Sequence, residues 1–184
     1  MAAYFRELTM IKSILAASAA LAVTALGANA ASAAAWDFRA YAGTNETEDT
    51  ESASDWTVAA VSEDGPGVVF VCTSGSGMLA TIAYEASEDV TAQAIRANGF
   101  VNTKAGSVTI NGDTIDSDWT IRRRAHTLTT GHMSTIGALL NGVYRGDRIE
   151  LNFNQMDPMY VTFPEPDEAI GEFIANCPTT NQRS

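Results

Sequence analysis

The sequence contains few basic residues for its length. Its 184 residues include 11 Lys and Arg against 22 Asp and Glu, a formal net charge of −11. Proteins that bind the phosphate backbone of nucleic acids neutralise it with many Lys and Arg side chains, so we expect no nucleic-acid partner. The same net charge disfavours a protein that is held electrostatically on an anionic membrane.

The chain also contains few cysteine and histidine residues, whose side chains hold metals or carry redox chemistry. Cys72 and Cys177 are its two cysteines, and neither lies in a C-x-x-C or a Cys/His cluster. His126 and His132 are its two histidines; they do not form H-E-x-x-H, and the Asp residues near them do not form a calcium-binding loop. We therefore predict no metal site and no cofactor.

A serine nucleophile also has little support. Gly75-Ser76-Gly77 is not the G-x-S-x-G elbow of serine hydrolases, and no ordered acid–base partner for Ser74 or Ser76 is visible. The segment is more typical of a hairpin turn.

The N-terminus has the layout of a secretory signal. Lys12 precedes an apolar run from Ile14 to Leu26, and small Ala-x-Ala sites follow. We predict a signal peptide over residues 1–33, cleaved near Ala33, with Met10 as an alternative start. The alternative is an uncleaved anchor, which needs about 20 predominantly apolar residues. The protein is then periplasmic or secreted.

Export changes how the cysteines are interpreted. In an oxidising compartment Cys72 and Cys177 are candidates for a disulfide, and the alternative is two free buried thiols.

Residues 34–54 are acidic and polar, which predicts a flexible leader before a single β-rich domain at residues 55–184. Trp36, Phe38 and Tyr41 are apolar exceptions, and the alternative for them is docking on the domain as a short strand.

The domain contains short strand-like runs separated by Gly-rich turns, a pattern typical of an antiparallel β-sandwich or open barrel. The fold class is therefore mainly β (α+β). Asn111-Gly112 suits the type I′ turn of a hairpin, because both residues accept positive φ. The predicted strands cover residues 56–61, 68–72, 78–84, 107–115, 118–128, 148–153 and 159–163.

Two segments predict helices. Residues 135–141 follow Ser134 as a candidate cap, and residues 166–176 form a C-terminal helix with Pro166 in its first turn. Residues 88–98 are ambiguous. Ser87 could cap a helix there, but β-branched side chains in the segment weaken the prediction of a helix.

The layout resembles that of small exported bacterial proteins. The resemblance depends on Asp55-Trp56-Thr57-Val58, the mid-chain Cys72, and an ending with Tyr160-Val161-Thr162-Phe163, Ala169-Ile170 and Cys177. It is similar to the invasion-associated locus B-like family and to periplasmic accessory proteins of type VI secretion. The resemblance implies a β-rich exported domain with an interaction or accessory role and without a known catalytic centre.

One basic cluster stands out in this acidic chain. Arg122, Arg123 and Arg124 are consecutive, and side-chain alternation along a strand would place Arg122, Arg124 and His126 on one face. Such a face suits an anion or a carboxylate. The alternative is pairing with local acids, for which Asp113, Asp116 and Asp118 are the candidates.

These features favour an exported, non-enzymatic binding or accessory domain. Its expected partner is a protein or a component of the cell envelope, and we expect no membrane-spanning segment after signal removal. The competing hypothesis is a small secreted hydrolase with His126 or His132 as the base. The sequence leaves the identity of the partner and the oligomeric state open.

The export hypothesis predicts the mass of the mature protein. Intact-mass spectrometry of the exported chain should show a species that begins near Ala34. A mass that still includes the apolar run of residues 14–26 would contradict cleavage.

Overall fold

Alternating apolar and polar residues form the strands of this chain, and each strand pairs antiparallel with its neighbours. The computed structural model describes residues 35–75, 77–97 and 99–178. The predicted signal peptide of residues 1–33 and the candidate nucleophile Ser76 lie outside these ranges.

The described residues form ten strands and three helices. The strands are β1 (Asp37–Ala42), β2 (Asn45–Thr47), β3 (Asp55–Val61), β4 (Gly67–Thr73), β5 (Gly77–Ala83), β6 (Val101–Ile110), β7 (Asp113–Arg122), β8 (Thr127–Thr130), β9 (Ile149–Phe153) and β10 (Met159–Val161). The helices are α1 (Val90–Ile95), α2 (Met133–Tyr144) and α3 (Glu168–Asn176).

All ten strands belong to one sheet, in the order β10-β9-β6-β7-β8-β5-β4-β3-β1-β2. The predicted mainly-β class with a C-terminal helix is confirmed. The two ends of the sheet are joined by side chains: the Trp36 indole N–H donates to the Pro164 carbonyl at 3.2 Å, and the Trp36 and Phe163 ring centroids are 6.2 Å apart. Of the two predicted forms, the open barrel describes this single continuous sheet better.

The inner face of the sheet carries the main core. Because side chains alternate along a strand, every second residue points inward. Helices α2 and α3 pack into this face through Ile136, Leu139, Ile170 and Phe173, all fully buried. The inward-facing strand residues include Val58, Phe70, Ile82, Val108, Ile121, Leu128 and Leu151.

The outer face is covered over β3–β5 by the short helix α1. Val90 of α1 joins Ala59, Val69 and Ala83 in a second, smaller apolar cluster. Asp89 caps this helix, because its side chain accepts a hydrogen bond from the Ala92 N–H at 2.9 Å. The ambiguous segment is therefore a short helix, with Asp89 rather than Ser87 as its cap.

The close approach of β6 and β9 explains why residue 106 is a glycine. A Cβ on Gly106 would overlap the Phe153 ring, which lies across it in the β6–β9 pair. The same ring meets Trp119 edge-on, with centroids 5.1 Å apart and an interplanar angle of 84°. Edge-on aromatic pairs stabilise by about 0.5–1.5 kcal/mol beyond the burial of their surface.

Most predicted elements are confirmed where local signals are strong. Asn111 and Gly112 have φ of 53° and 88°, as the predicted hairpin between β6 and β7 requires. β9 and β10 pair and precede α3, which begins after Asp167 as its cap. The middle helix is longer than predicted, because α2 begins at Met133 and so includes Ser134 within its first turn.

The start of the domain differs from the prediction. Residues 34–54 were expected to be a flexible leader, but β1 pairs with β3 along its length and β2 pairs with β1. Trp36 is 1% exposed and Ala40 is 3% exposed, and Phe38 packs against the same core. The alternative of a docked strand is therefore correct, and the ordered sheet begins about 18 residues before Asp55.

The predicted disulfide between Cys72 and Cys177 is confirmed. It joins β4 to the residue that ends α3, across a sequence separation of 105. Both cysteines are fully buried in the core. The bond therefore fixes the C-terminal helix to the middle of the sheet.

Removing this bond should weaken the fold considerably. Closure of a loop of about 100 residues contributes on the order of 4–5 kcal/mol in the chain-entropy model. We expect the Cys72→Ala/Cys177→Ala protein to lose up to this amount of unfolding free energy in urea titrations, and dithiothreitol to have a similar effect on the wild type. Dithiothreitol should leave the double variant unchanged. Equal stability of the oxidised and reduced wild type would contradict this role.

Candidate functional site

The arginine triplet lies at a chain reversal rather than along a strand. β7 ends at Arg122, and β8 begins at Thr127. The Ala125 N–H donates to the Arg122 carbonyl at 3.1 Å, and His126 takes a left-handed conformation with φ of 55°. The predicted strand over residues 118–128 is therefore wrong, because a tight turn divides it.

This turn changes which side chains are together. Arg122, Arg124 and His126 do not form the alternating face that a straight strand would give. Arg123 and Arg124 are exposed on the turn, and Arg122 is partly buried at the end of β7. Within the described residues, no carboxylate lies within 4.0 Å of these three guanidinium groups. The predicted pairing with Asp113, Asp116 and Asp118 is thus not formed.

His126 has a separate set of partners. Its Nδ1 lies 2.8 Å from a Glu85 carboxylate oxygen, and its ring centroid lies 5.4 Å from that of Tyr84. The His126 carbonyl also accepts a hydrogen bond from the Tyr84 N–H at 3.0 Å. These contacts hold the turn against the end of β5. His126 therefore positions the arginines and does not share a binding face with them.

Helix α1 is tied to the same turn by Gln93. The Gln93 amide donates to the Ala125 carbonyl at 2.7 Å and to the Glu85 carbonyl at 2.9 Å. Its oxygen accepts from the Ser87 N–H at 2.8 Å. A single side chain therefore connects three segments around the arginines, and nothing in the sequence marked it.

Exposed apolar residues lie beside the triplet. Val101 is directly opposite Arg122 in the β6–β7 pair, and the Arg124 side chain lies close to Gly99. Phe100 is 93% exposed and Val101 55%. We call this region the basic–apolar end; it consists of Phe100, Val101 and Arg122–Arg124.

A groove of about 540 Å³ lies between α1 and the outer face of β1, β3 and β4. Arg39 lies in it, 2.7 Å from Asp37, 3.1 Å from Asp89 and 4.0 Å from Glu46. Burial lowers the pKa of Arg39, but hydrogen bonds to Asp37 and Asp89 outweigh it and raise the pKa above its ordinary value. Arg39 is therefore already neutralised by carboxylates, and Ile95 and Arg96 at the end of α1 also line the groove.

Tyr41 lies beside Arg39 in the same groove. Burial raises the pKa of the Tyr41 hydroxyl. The phenol therefore stays protonated at neutral pH and acts as a neutral hydrogen-bonding group. Arg39 and Tyr41 both lie in residues 34–54, the segment that the sequence predicts to be a flexible leader.

The second histidine lies in a shallow depression. His132 lines it together with Ser117, Asp116 and Asp118. The His132 backbone N–H donates to the Thr130 hydroxyl at 3.2 Å, but the Ser117 hydroxyl has no hydrogen-bond partner within the described residues. A nucleophile needs a base within hydrogen-bond reach, and His132 does not provide that contact here.

Comparisons of the chain with protein-family models, with curated proteins and with solved structures found no match. Over residues 35–75, 77–97 and 99–178, no group of three His, Cys, Asp or Glu side chains is placed to hold a metal ion. None of the helices in these ranges is long and apolar enough to cross a membrane.

The Asp89 carboxylate connects the groove to the stability of α1. The Ala92 N–H and, less strongly, Arg39 hold the pKa of Asp89 below its ordinary value. A lowered folded-state pKa stabilises the protein above the unfolded-state value of about 3.9, and this contribution disappears as the pH falls through the folded-state pKa.

We therefore expect Asp89→Asn to cost roughly 0.5–1 kcal/mol at pH 7, a value discounted because the Asp89 side chain is 47% exposed. Asp89→Ala also removes the cap and should cost about 1 kcal/mol more. Urea titrations should show the gap between wild type and Asp89→Asn closing below pH 4, whereas Glu88→Gln should match the wild type. A gap that is constant with pH would refute the charge contribution.

Proposed function

We propose that this protein is an exported, non-enzymatic binding domain, periplasmic or secreted, that engages an anionic component of the cell envelope through Arg122–Arg124. One observation carries the proposal. Three consecutive arginines, one at the end of β7 and two on the exposed turn after it, have no carboxylate within 4.0 Å among the described residues, in a chain with twice as many acids as bases.

The chemistry of the arginine side chain supports an anionic partner. The guanidinium group presents a planar fork of donors that matches carboxylates and phosphates, and it stays charged at every physiological pH. In an acidic protein such groups usually pair within the molecule. Here the acids of β7 lie four to nine residues from Arg122, and none is within 4.0 Å of the arginines among the described residues, so the arginines are available to a partner.

The packing around the turn supports a preorganised site. Glu85, Tyr84 and Gln93 fix the turn from β5 and α1, as described above. A fixed turn loses less conformational freedom on binding than a mobile one does, so more of the interaction energy becomes affinity. The disulfide is compatible with export. The main support for export is the signal-like layout of the N-terminus.

The hydrolase hypothesis has less support. The His126 Nδ1 faces a Glu85 carboxylate at 2.8 Å rather than a hydroxyl, and the Ser117 hydroxyl makes no hydrogen bond to His132. Neither histidine therefore has the nucleophile–base contact that covalent catalysis uses.

The test is co-sedimentation with isolated cell envelopes of the host. We expect Arg122→Ala/Arg124→Ala to weaken binding by at least about tenfold, because each charge-assisted hydrogen bond contributes about 1.5–3 kcal/mol. Added salt should weaken the wild type and affect this variant less.

Arg145→Ala/Arg148→Ala is the matched control, since it removes the same charge elsewhere. Arg145 pairs with Asp147, and Arg148 lies over the Tyr160 ring. Thermal melts should show that both variants fold. Binding that is equal in all three proteins, or equally weakened in both variants, would overturn the proposal.

A further inference from the structure

The apolar part of the basic–apolar end protrudes from the molecule. Phe100 is 93% exposed, so its ring makes almost no contact within the protein. Its neighbour Val101 is 55% exposed, and both are among the seven exposed large hydrophobic side chains of the described residues. Surface hydrophobics are normal singly, but adjacent ones mark a surface that contacts something else.

Basic residues surround this apolar tip. Arg122, Arg123 and Arg124 are three of the nine Lys and Arg residues between positions 34 and 184. None of the three has an ion-pair partner within 4.0 Å in the described part of the chain. The tip therefore combines exposed apolar groups with unpaired positive charge.

We propose that the basic–apolar end docks on the surface of a phospholipid bilayer that contains anionic headgroups. This inference rests on the proposed function and names its partner. Phe100 and Val101 enter the boundary between headgroups and acyl chains, and the arginines bind lipid phosphates. Apolar side chains on one side and Lys or Arg around them are the features of interfacial membrane binding.

The shape of the tip favours a bilayer over a protein. A protein partner would need a pocket that complements a single protruding ring, and hot-spot residues are usually enclosed by surrounding contacts. A bilayer accepts a protruding ring without such a pocket. Guanidinium groups also bind phosphate oxygens in a bidentate manner.

The net charge of the chain does not oppose this orientation. At physiological ionic strength the Debye length is about 8 Å, so only charges close to the contact matter. Asp113 lies at the opposite end of the β6–β7 hairpin, nine residues from Arg122 and so about 30 Å away. Asp118 is four residues from Arg122 and so about 13 Å away, Asp89 pairs with Arg39, and Glu85 lies against the His126 ring at the turn.

A tryptophan reporter tests the docking. The three native tryptophans are buried, at 1%, 7% and 0% exposure, so Phe100→Trp adds the one exposed indole in the described residues. In the full chain we expect its emission to shift to the blue with vesicles of phosphatidylglycerol and phosphatidylcholine in equal parts. Vesicles of phosphatidylcholine alone should give little shift.

Two further variants locate the contact. Adding Arg122→Ala and Arg124→Ala to Phe100→Trp should weaken vesicle binding by about fivefold per arginine, and so by about 30-fold together. Tyr144→Trp is the control, because Tyr144 is 58% exposed and follows Gly142, which packs on Ile110 at the far end of β6. Its emission should not shift. The apolar run of residues 14–26 is present in every variant and cannot produce these differences.

Several outcomes would overturn the lipid proposal. These are an unshifted Phe100→Trp emission, an equal shift in Tyr144→Trp, or equal binding to both kinds of vesicle. Inorganic phosphate that produces the blue shift without vesicles would identify a free anion instead. If the protein does not bind vesicles while its binding to envelopes still depends on Arg122 and Arg124, the anionic partner is a protein or a polysaccharide. The proposed function then stands.

Discussion

The covalent link between Cys72 and Cys177 determines how the two halves of the sheet relate. β4 and α3 are far apart in sequence, and the bond holds α3 against β1 and β3 while Trp36 contacts the segment that precedes α3. Ile170 and Phe173 can bury fully only when the helix lies there. The disulfide therefore fixes the helix whose side chains complete this part of the core.

Much of the fold could be predicted because its signals are local. The hairpin at Asn111-Gly112 needs two residues that tolerate positive φ, and α3 follows an acidic cap and a regular apolar face. β1 was missed for a physical reason. The average composition of residues 34–54 is acidic, and it hides the period-two pattern of Trp36, Phe38 and Ala40 that faces the core. The acids between and after these residues point to solvent.

The candidate site was only partly predictable. Three consecutive arginines are visible in any sequence, but the turn after them contains no Gly, Pro or Asn, and His126 takes the left-handed conformation instead. Phe100 and Val101 lie more than 20 residues before the triplet, and only the strand register brings Val101 opposite Arg122. Gln93 reaches the turn through tertiary packing alone. Local patterns thus identify the charges, and long-range pairing selects their neighbours.

The β6–β7 hairpin separates charge along a rigid axis. Asp113 begins β7, Asp116 and Asp118 lie in its middle, and the arginines begin at its last residue. Held in a ten-stranded sheet, these charges keep their order, so they give the hairpin a fixed electric dipole. An external field then exerts a torque on the whole protein and aligns it before any contact is made. Such alignment raises the fraction of collisions that are productive.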